Sequence, residues 1–537
     1  MNRYTSGSRN KVHVALERQL LLLLLVLCMF TSGCMVGPNY VKPEITTPSN
    51  WIEQDNPAFK NAVADNRVWW KIFADPVLEK LIIKAYQQNL SLHAAGIRVL
   101  EARAQLGITT GNLYPQSQAF NSSYGFNNIS KNTANTQVGA DFSYSSIDLG
   151  FDAAWELDFW GKFRRAVESD SSSLEASIAD YDAIIVSLTA EVARTYVLLR
   201  TFETRLVIAR QNVSIQQQSL DITEIRFKEE DVTELDVQQA RALLHDTQAT
   251  IPQLQDRLRQ AQNALATLLG VFPGELNTII EDTIPIPELQ SEITVGVPTE
   301  LLRRRPDIRL AEHRLAAQSA LIGVAEADLY PHFSLFGNVA LVSSDAAVTA
   351  AGFPGGSSFG DIWNSDSVQF FGGSGVRWDI LNYGRIKNQV RVQDARFQQL
   401  VMVYQDTVLN AAREVEDAMS AFLRSREQVQ FLSDSVQAAK RSVELAMIQY
   451  REGLVDYQRV LDTQRFLSLQ QDRHTETRGA VVLSAIGIYK ALGGGWQLRE
   501  GSDFVPDTIK QQMAKRTDWG DVLEPTLLDS SEYEPAP

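Results

Sequence analysis

Cysteine is almost missing from this 537-residue chain: only Cys28 and Cys34 are present, both near the start. Two cysteines so placed cannot supply a disulfide framework. Long apolar runs are missing too. Only Leu20 to Phe30 approaches spanning character, and it is too short for a typical transmembrane helix. With ordinary apolar (44%) and charged (21%) fractions, this excludes a multi-span helical membrane protein. Positive charge is in deficit; the net charge of −15 argues against a nucleic-acid surface, so no nucleic-acid partner is expected. Histidine is sparse as well. His13, His93, His245, His313, His332 and His474 are scattered, with none at metal-ligand spacing. No Gly-rich phosphate loop, nucleophile elbow or catalytic cysteine setting occurs, so no enzyme and no cofactor or metal is expected.

Glycine and proline are absent where they would matter most. From Lys162 to Ile251, roughly 90 residues, there is neither. Ordinary helices average ~11 residues and rarely pass 25, so this stretch predicts an exceptional helix. Phe202, Leu206, Ala209, Val213, Leu220, Thr223 and Phe227 recur at alternating spacings of four and three, a heptad pattern with one polar skip at Gln216. A continuous helix from Lys162 to Glu229 would be on the order of 100 Å long and needs neighbours along its length. A second such stretch runs from Arg385 to Glu452, with Val429, Leu432, Val436, Ala439, Val443, Ala446 and Tyr450 at its heptad positions.

The two stretches are copies. An offset of 223 links Phe227 to Tyr450, Trp155 to Trp378, Gly161 to Gly384, Tyr181 to Tyr404, Glu191 to Glu414, and Leu269-Gly270 to Leu492-Gly493. Upstream, an offset of 216 links Ala95 to Ala311, Arg98 to Arg314, Gly107 to Gly323, Leu113-Tyr114-Pro115 to Leu329-Tyr330-Pro331, and Phe120 to Phe336. The chain is a tandem duplication, with a longer segment between Phe336 and Trp378 in the second copy.

At the N-terminus, Arg3, Arg9, Lys11 and Arg18 precede the apolar run and Thr31-Ser32-Gly33 follow it, the layout of an export signal over residues 1–33. The run from Phe30 to Cys34 resembles a bacterial lipoprotein cleavage box, which would make Cys34 the lipidated first residue. Thr31 stands where that box usually has Leu; ordinary cleavage nearby is the alternative. Met35 rather than Asp follows, so outer-membrane sorting is expected. Residues 34–60 read as an extended strap with little to pack against. The body begins near Trp69-Trp70. Asp75-Pro76 starts a helix with Leu78, Leu81, Ile82 and Ala85 on its apolar face, and Arg303-Arg304-Arg305-Pro306-Asp307 starts the second repeat likewise. The three arginines read as a solvated loop more than as a phosphate clamp.

Pro115 and Pro331 end the first helix of each repeat. Period two follows. From Ile147 to Phe159 the odd positions are apolar, while the even ones include Asp148, Asp152, Glu156 and Asp158. This predicts a membrane-spanning strand with Ile147, Leu149, Phe151, Trp155 and Leu157 towards lipid. Its partner runs from Val368 to Ile380, with Val368, Phe370, Val376, Trp378 and Ile380 facing one way. Shorter alternations carry Phe120, Tyr124 and Phe126, and Phe333, Leu335, Val339 and Leu341. A soluble sandwich edge is the alternative. Polar loops lie between the strands, at Asn127 to Ser146 and the Gly/Ser-rich Ala351 to Asp366. Each repeat therefore reads helix, strand, loop, strand, very long helix, turn, helix. Four strands cannot close a barrel, and an open edge cannot face lipid, so several chains must share one; three chains give twelve strands.

These residues, together with Val36-Gly37-Pro38-Asn39-Tyr40, Trp69 to Pro76, Arg304 to Ile308, Ala325 to Pro331 and Tyr450-Arg451-Glu452-Gly453, resemble the TolC-like outer membrane factors, in the lipoprotein branch typified by NodT and OprM. The resemblance covers Cys34 to Gly495. It implies an α+β membrane protein: a homotrimer with a shared twelve-strand barrel in the outer membrane and a long coiled-coil tunnel in the periplasm. It also implies an exit duct for tripartite efflux or secretion, reached through a periplasmic adaptor from an inner-membrane transporter of RND type. A poreless periplasmic coiled-coil adaptor or structural protein is the competing reading, which the spanning apolar stripe disfavours. In the family, glycines at both interhelical turns mark adaptor docking. Gly453 fits; Glu230 holds the equivalent place in the first repeat, which suggests adaptor selectivity or an unremarkable solvated charge. The family's periplasmic gate maps onto Asp462 and Arg465, whose first-repeat counterparts are the uncharged Gln239 and Ala242. The expected organisation is a signal (1–33), strap (34–60), first repeat (61–285), second repeat (286–495) and an acidic, mostly disordered tail (496–537).

Overall fold

The computed structural model describes residues 35–60, 66–132, 142–280, 285–290, 292–299, 304–345 and 358–524. The export segment, Cys34, Arg303, much of the Ala351 to Asp366 loop and the acidic Asp529, Glu532 and Glu534 lie outside them.

Three helices of each repeat reproduce the duplication among the described residues. Helices α1 (Pro76–Gln88), α2 (Leu90–Gly111), α3 (Lys162–Lys228) and α4 (Glu234–Leu268) belong to the first repeat. The second has α5 (Pro306–Ala327), α6 (Arg385–Arg451) and α7 (Tyr457–Ala491). Helices α3 and α6 have 67 residues each, α4 and α7 have 35 each, and α2 and α5 have 22 each. The expected pairing of Pro76 with Pro306 needs correction. Pro76 opens α1, whose apolar face is buried as expected, whereas Pro306 opens the counterpart of α2. Between α1 and α2 the chain breaks at Asn89, extended at φ −66° and ψ 121°. Its side-chain oxygen accepts from Leu92 N at 2.9 Å, and its amide donates to Leu268 O at 2.9 Å. One asparagine thus ends one helix and caps the next, with neither glycine nor proline.

Two units are described in turn: residues 1–42, 102–174 and 313–401, and residues 43–101, 175–312 and 402–537. The first holds an antiparallel sheet of β2 (Ser117–Asn128), β3 (Ser143–Leu157), β5 (His332–Ser344) and β6 (Val368–Arg377), in the order β2-β3-β5-β6. Among the described residues β2 and β6 are its two unpaired edges.

The second unit is helical, with one two-stranded parallel ladder of β1 (Phe59–Lys60) and β4 (Ile293–Thr294). Its core near the start of the body holds Trp69 stacked on Tyr489 at 5.5 Å, with Trp70 edge-on at 5.7 Å. Along α3 and α6 the heptad residues Leu206, Ala209, Leu220, Thr223, Val436, Ala439, Val443, Ala446 and Tyr450 are buried, as the spacing predicts. Phe227 is exposed, because it lies in the last turn of α3. The polar skip Gln216 is buried too.

Three sequence expectations fail in this unit. The strap is not without packing: Trp51 is buried, and its indole donates to Gly296 O at 3.1 Å. Arg305 is not in a solvated loop. It is buried, donates to Ala491 O at 2.7 Å, and pairs with Asp307 (2.6 Å) and Glu414 (2.8 Å). Desolvation by burial pulls its pKa down, but the two carboxylates outweigh it and hold the guanidinium above its ordinary value. The segment after Gly495 is folded as far as Glu524. It contains α8 (Asp507–Ala514) and buries Phe504 and Val505. Asp182, fully buried on α3, pairs there with Arg499 (2.6 Å) and Arg309 (2.7 Å), and both guanidinium groups lie over the Trp496 ring. An acidic composition hid three aromatic or apolar anchors.

Candidate functional sites: a two-faced sheet and two helix turns

Residues opposite one another in a ladder share a face. The register therefore sorts the sheet residue by residue. Phe120, Phe151, Val339 and Phe370 form one continuous row. Neighbouring rows on that face are Ser122, Leu149, Leu341 and Val368; Tyr124, Ile147 and Ser343; Trp155, Leu335 and Ser374; and Leu157, Phe333 and Val376. All five residues expected on the lipid side share this face. Its central row is 59%, 67%, 57% and 80% exposed, so nothing among the described residues covers it. Trp378 and Ile380 fall beyond the end of β6. Trp155 and Trp378 keep their equivalence in another way: their indoles donate to Leu113 O (3.2 Å) and Leu329 O (3.0 Å), themselves repeat counterparts.

The opposite face is polar. Asp152 lies level with Asn338 and Ala119, and accepts from Asn338 (2.5 Å) and from Asn121. Asp148 shares the face, and Glu156 accepts from His332 Nδ1 at 2.7 Å. Phe336 and Phe371 interrupt it as a ring pair 5.7 Å apart. Asp158, expected with these acids, does something else. It lies past β3 and caps α3, accepting from Phe163 N and Arg164 N at 3.0 Å each and pairing with Arg164.

The two interhelical turns are in the second unit and have one backbone. Glu230 at φ +65° and Gly453 at φ +72° both stand in the left-handed region. Glu230 N donates to Phe227 O and Gly453 N to Tyr450 O, each at 3.0 Å. Asp231 N donates to Arg226 O (2.9 Å) and Leu454 N to Gln449 O (2.8 Å). This is a Schellman closure, which favours glycine at the left-handed position. Arg226 ties the turns together by donating to Tyr450 O, with its guanidinium 4.7 Å over the Tyr450 ring. Beneath them Leu220, Val237, Leu243, Leu244, Tyr450, Tyr457, Val460 and Leu461 make a buried cluster. Burial pushes the Tyr450 and Tyr457 phenols up.

On α7, Tyr457, Val460, Leu461 and Gln464 point into that cluster region, while Asp462 and Arg465 are exposed on the other side with Phe466 and Leu469. Asp462 accepts from Gln458 at 2.9 Å; among the described residues it has no ion-pair partner, Arg465 included. Arg165 and the Asp182 cluster were not singled out in the sequence, and Arg305 was, but as part of a solvated loop. Asp182 had a signal: an acid three residues from Ala179 and Ile185, on the buried side of a heptad helix, requires a buried cation.

The family profile described as Outer membrane efflux protein matches residues 81–271 and 297–494, one segment in each repeat. Over 491 residues the chain is 33% identical to the pyoverdine export outer membrane protein OpmQ of Pseudomonas putida, covering 90% of this chain and 99% of that protein. It is 29% identical over 469 residues to the cation efflux system protein CusC of Escherichia coli, covering 87% and 96%. The solved outer-membrane channel OprN aligns with a TM-score of 0.79 at 32% identity, over 86% of this chain and 100% of that one.

Proposed function

The chain belongs to the outer membrane efflux protein family and is an outer-membrane efflux channel, and on that premise we propose how its residues make and control the pore. Three copies close a twelve-strand barrel, because a four-stranded sheet with two open edges cannot be stable in lipid. The observation that carries this reading is the register of the sheet: one face dominated by aromatic and aliphatic side chains, and an opposite face that carries Asp148, Asp152, Glu156, Asn338 and His332. Strands of 10 to 15 residues are long enough to span while tilted. The apolar face meets lipid and the acidic face lines the lumen. The long helices continue the duct into the periplasm. No comparable observation favours a poreless coiled-coil protein.

Asp462 and Arg465 are the periplasmic gate. Three Asp462 carboxylates near an axis repel one another unless each finds a cation, and Arg465, three residues along the same exposed face, is the partner we assign. A ring of such links is the resting state. A periplasmic adaptor docks at the Glu230 and Gly453 turns and draws the helices apart, connecting the duct to an inner-membrane transporter of RND type. Relatives named for pyoverdine export and for cation efflux share this scaffold, which supports leaving substrate choice to the pump. Cys34 carries the lipid, which the mass of the mature N-terminal peptide tests.

The experiment is ion conduction by the purified protein in planar bilayers under a salt gradient. Fixed carboxylates raise the local cation concentration, so stepwise currents with a cation-selective reversal potential are expected. Anion preference would overturn the lumen assignment, and absence of current even from the Asp462→Ala/Arg465→Ala variant would overturn the proposed pore.

A further inference from the structure

Arg165, in the first turn of α3, is fully buried and has no part in the pore or the gate. Its donors go to the start of the strap. Nε donates to Val36 O at 3.1 Å, and Nη2 to Gly37 O at 3.1 Å and to the Asn39 side chain at 2.8 Å. Nη1 pairs with Glu168 at 2.7 Å. Val36 N donates in turn to Trp160 O at 3.0 Å. Glycines make the room. A Cβ on Gly161 would sit 2.4 Å from Met35 Cγ, and one on Gly37, itself at φ +87°, would sit 2.3 Å from Gly323 Cα. A Cβ on Gly323 would meet Val36 O at 2.9 Å and Arg165 at 3.0 Å. A Cβ on Gly107, the first-repeat counterpart of Gly323, would meet nothing within 4 Å among the described residues. The close approach therefore belongs to the strap and not to the repeat.

The location matters as much as the grip. The held backbone lies beside Trp160, at the foot of β3, where aromatic rings gather. Trp160 stacks on Tyr330 at 4.6 Å and meets Phe159 at 4.8 Å, and Phe159 meets Phe333 at 5.4 Å. Such a cluster at the end of spanning strands is the girdle expected at a membrane interface. Without the grip, the strap from Met35 to Trp51 could sweep roughly 50 Å. With it, Met35 is held against Gly161 beside that cluster.

We propose that Arg165, Gly161 and Gly323 form a dock for the processed N-terminus, which places the acylated end of the chain at the membrane level of the sheet. This rests on the reading that Cys34 is lipidated. Arg165 is a positioning residue: its guanidinium donates to two strap carbonyls and the Asn39 side chain, and so holds the strap in one register. Lipid and barrel then enter the same leaflet together, and the acyl chains act at high effective concentration beside the strands they anchor.

The test uses the full-length protein with Arg165→Gln and Gly323→Ala, and Gly107→Ala as control. Gly323→Ala raises the helix propensity of α5 while blocking the strap, so it separates loss of the dock from loss of fold. Both variants are expected to show strap cleavage by limited proteolysis about tenfold faster than the parent, through loss of charge-assisted bonds. Both should keep the acyl mass on the N-terminal peptide, yet insert into the outer membrane less completely than the parent. Gly107→Ala should match the parent. Parent-like protection in both variants would overturn the dock. A freed strap with parent-like insertion would overturn its placing role. An unacylated parent would overturn the lipid reading itself, a result read from the terminal peptide alone and so distinct from failure of the dock.

Discussion

The two repeats agree in backbone and disagree in side chains. Helices α3 and α6 match in length to the residue, as do α4 and α7, and the closing hydrogen bonds of the two turns fall on counterpart atoms. Yet one turn has Glu230 where the other has Gly453, and α7 carries Asp462 and Arg465 where α4 carries Gln239 and Ala242. Helix length and turn geometry are set by heptad packing, which both copies must satisfy to pack against each other. Exposed positions have no such constraint and could diverge. Function in a duplicated scaffold is therefore to be sought where the copies differ.

The largest difference between the copies is a buried exception, the Asp182 cluster, which exists in one copy only: Gln405 holds the counterpart position. Asp182→Ala leaves Arg309 and Arg499 without their shared buried carboxylate, and should cost about 3–5 kcal/mol in denaturant unfolding. It should also expose the segment after Gly495 to protease, whereas Gln405→Ala should do neither. Next come the two sheet faces. Phe151→Arg and Phe370→Arg, in one apolar row from different repeats, should each cost about 2–4 kcal/mol on folding into vesicles, and Asp152→Arg much less. Unequal costs for the two phenylalanines would mean that the strands lie at different depths.

The turns give a smaller effect of opposite sign. A left-handed residue with a Cβ costs about 1 kcal/mol relative to glycine. Glu230→Gly should raise the stability of the helix tips by about that amount and Gly453→Glu lower it, both measurable by hydrogen exchange of the tip amides. If Glu230→Gly also changes adaptor affinity, the charge at that turn selects partners. The smallest effect is a pH dependence. Burial, then Arg478 and Lys440, hold His474 below its ordinary 6.5. The unfolded chain takes up the proton first, so this contribution is intact above pH 6.5 and is lost as pH falls from there to the folded value. His474→Gln should flatten the pH profile of thermal stability in that window.

Much of this was legible in the sequence, for a physical reason. Periods of seven and two survive in side-chain polarity because burial enforces them, so the long helices, their turns and the two-faced strands could be read off directly. What was not legible depended on single contacts. Asn89 breaks a helix by capping, with no glycine or proline to announce it. Three arginines in a row look solvated until Glu414, more than a hundred residues away, is brought to Arg305. Acid-rich composition after Gly495 hid the Trp496 and Phe504 that pin that segment. Asp158 alternated with the strand acids but belongs to the helix that follows.

On the proposed gate, the second repeat alone sets the closed end of the channel. Single-channel conductance in planar bilayers separates the repeats, comparing the parent with the Asp462→Ala/Arg465→Ala double variant and with Gln239→Ala. The double variant should conduct more than the parent, and Gln239→Ala should conduct as the parent does. A double variant that conducts like the parent, with trimer and fold intact, would contradict the gate.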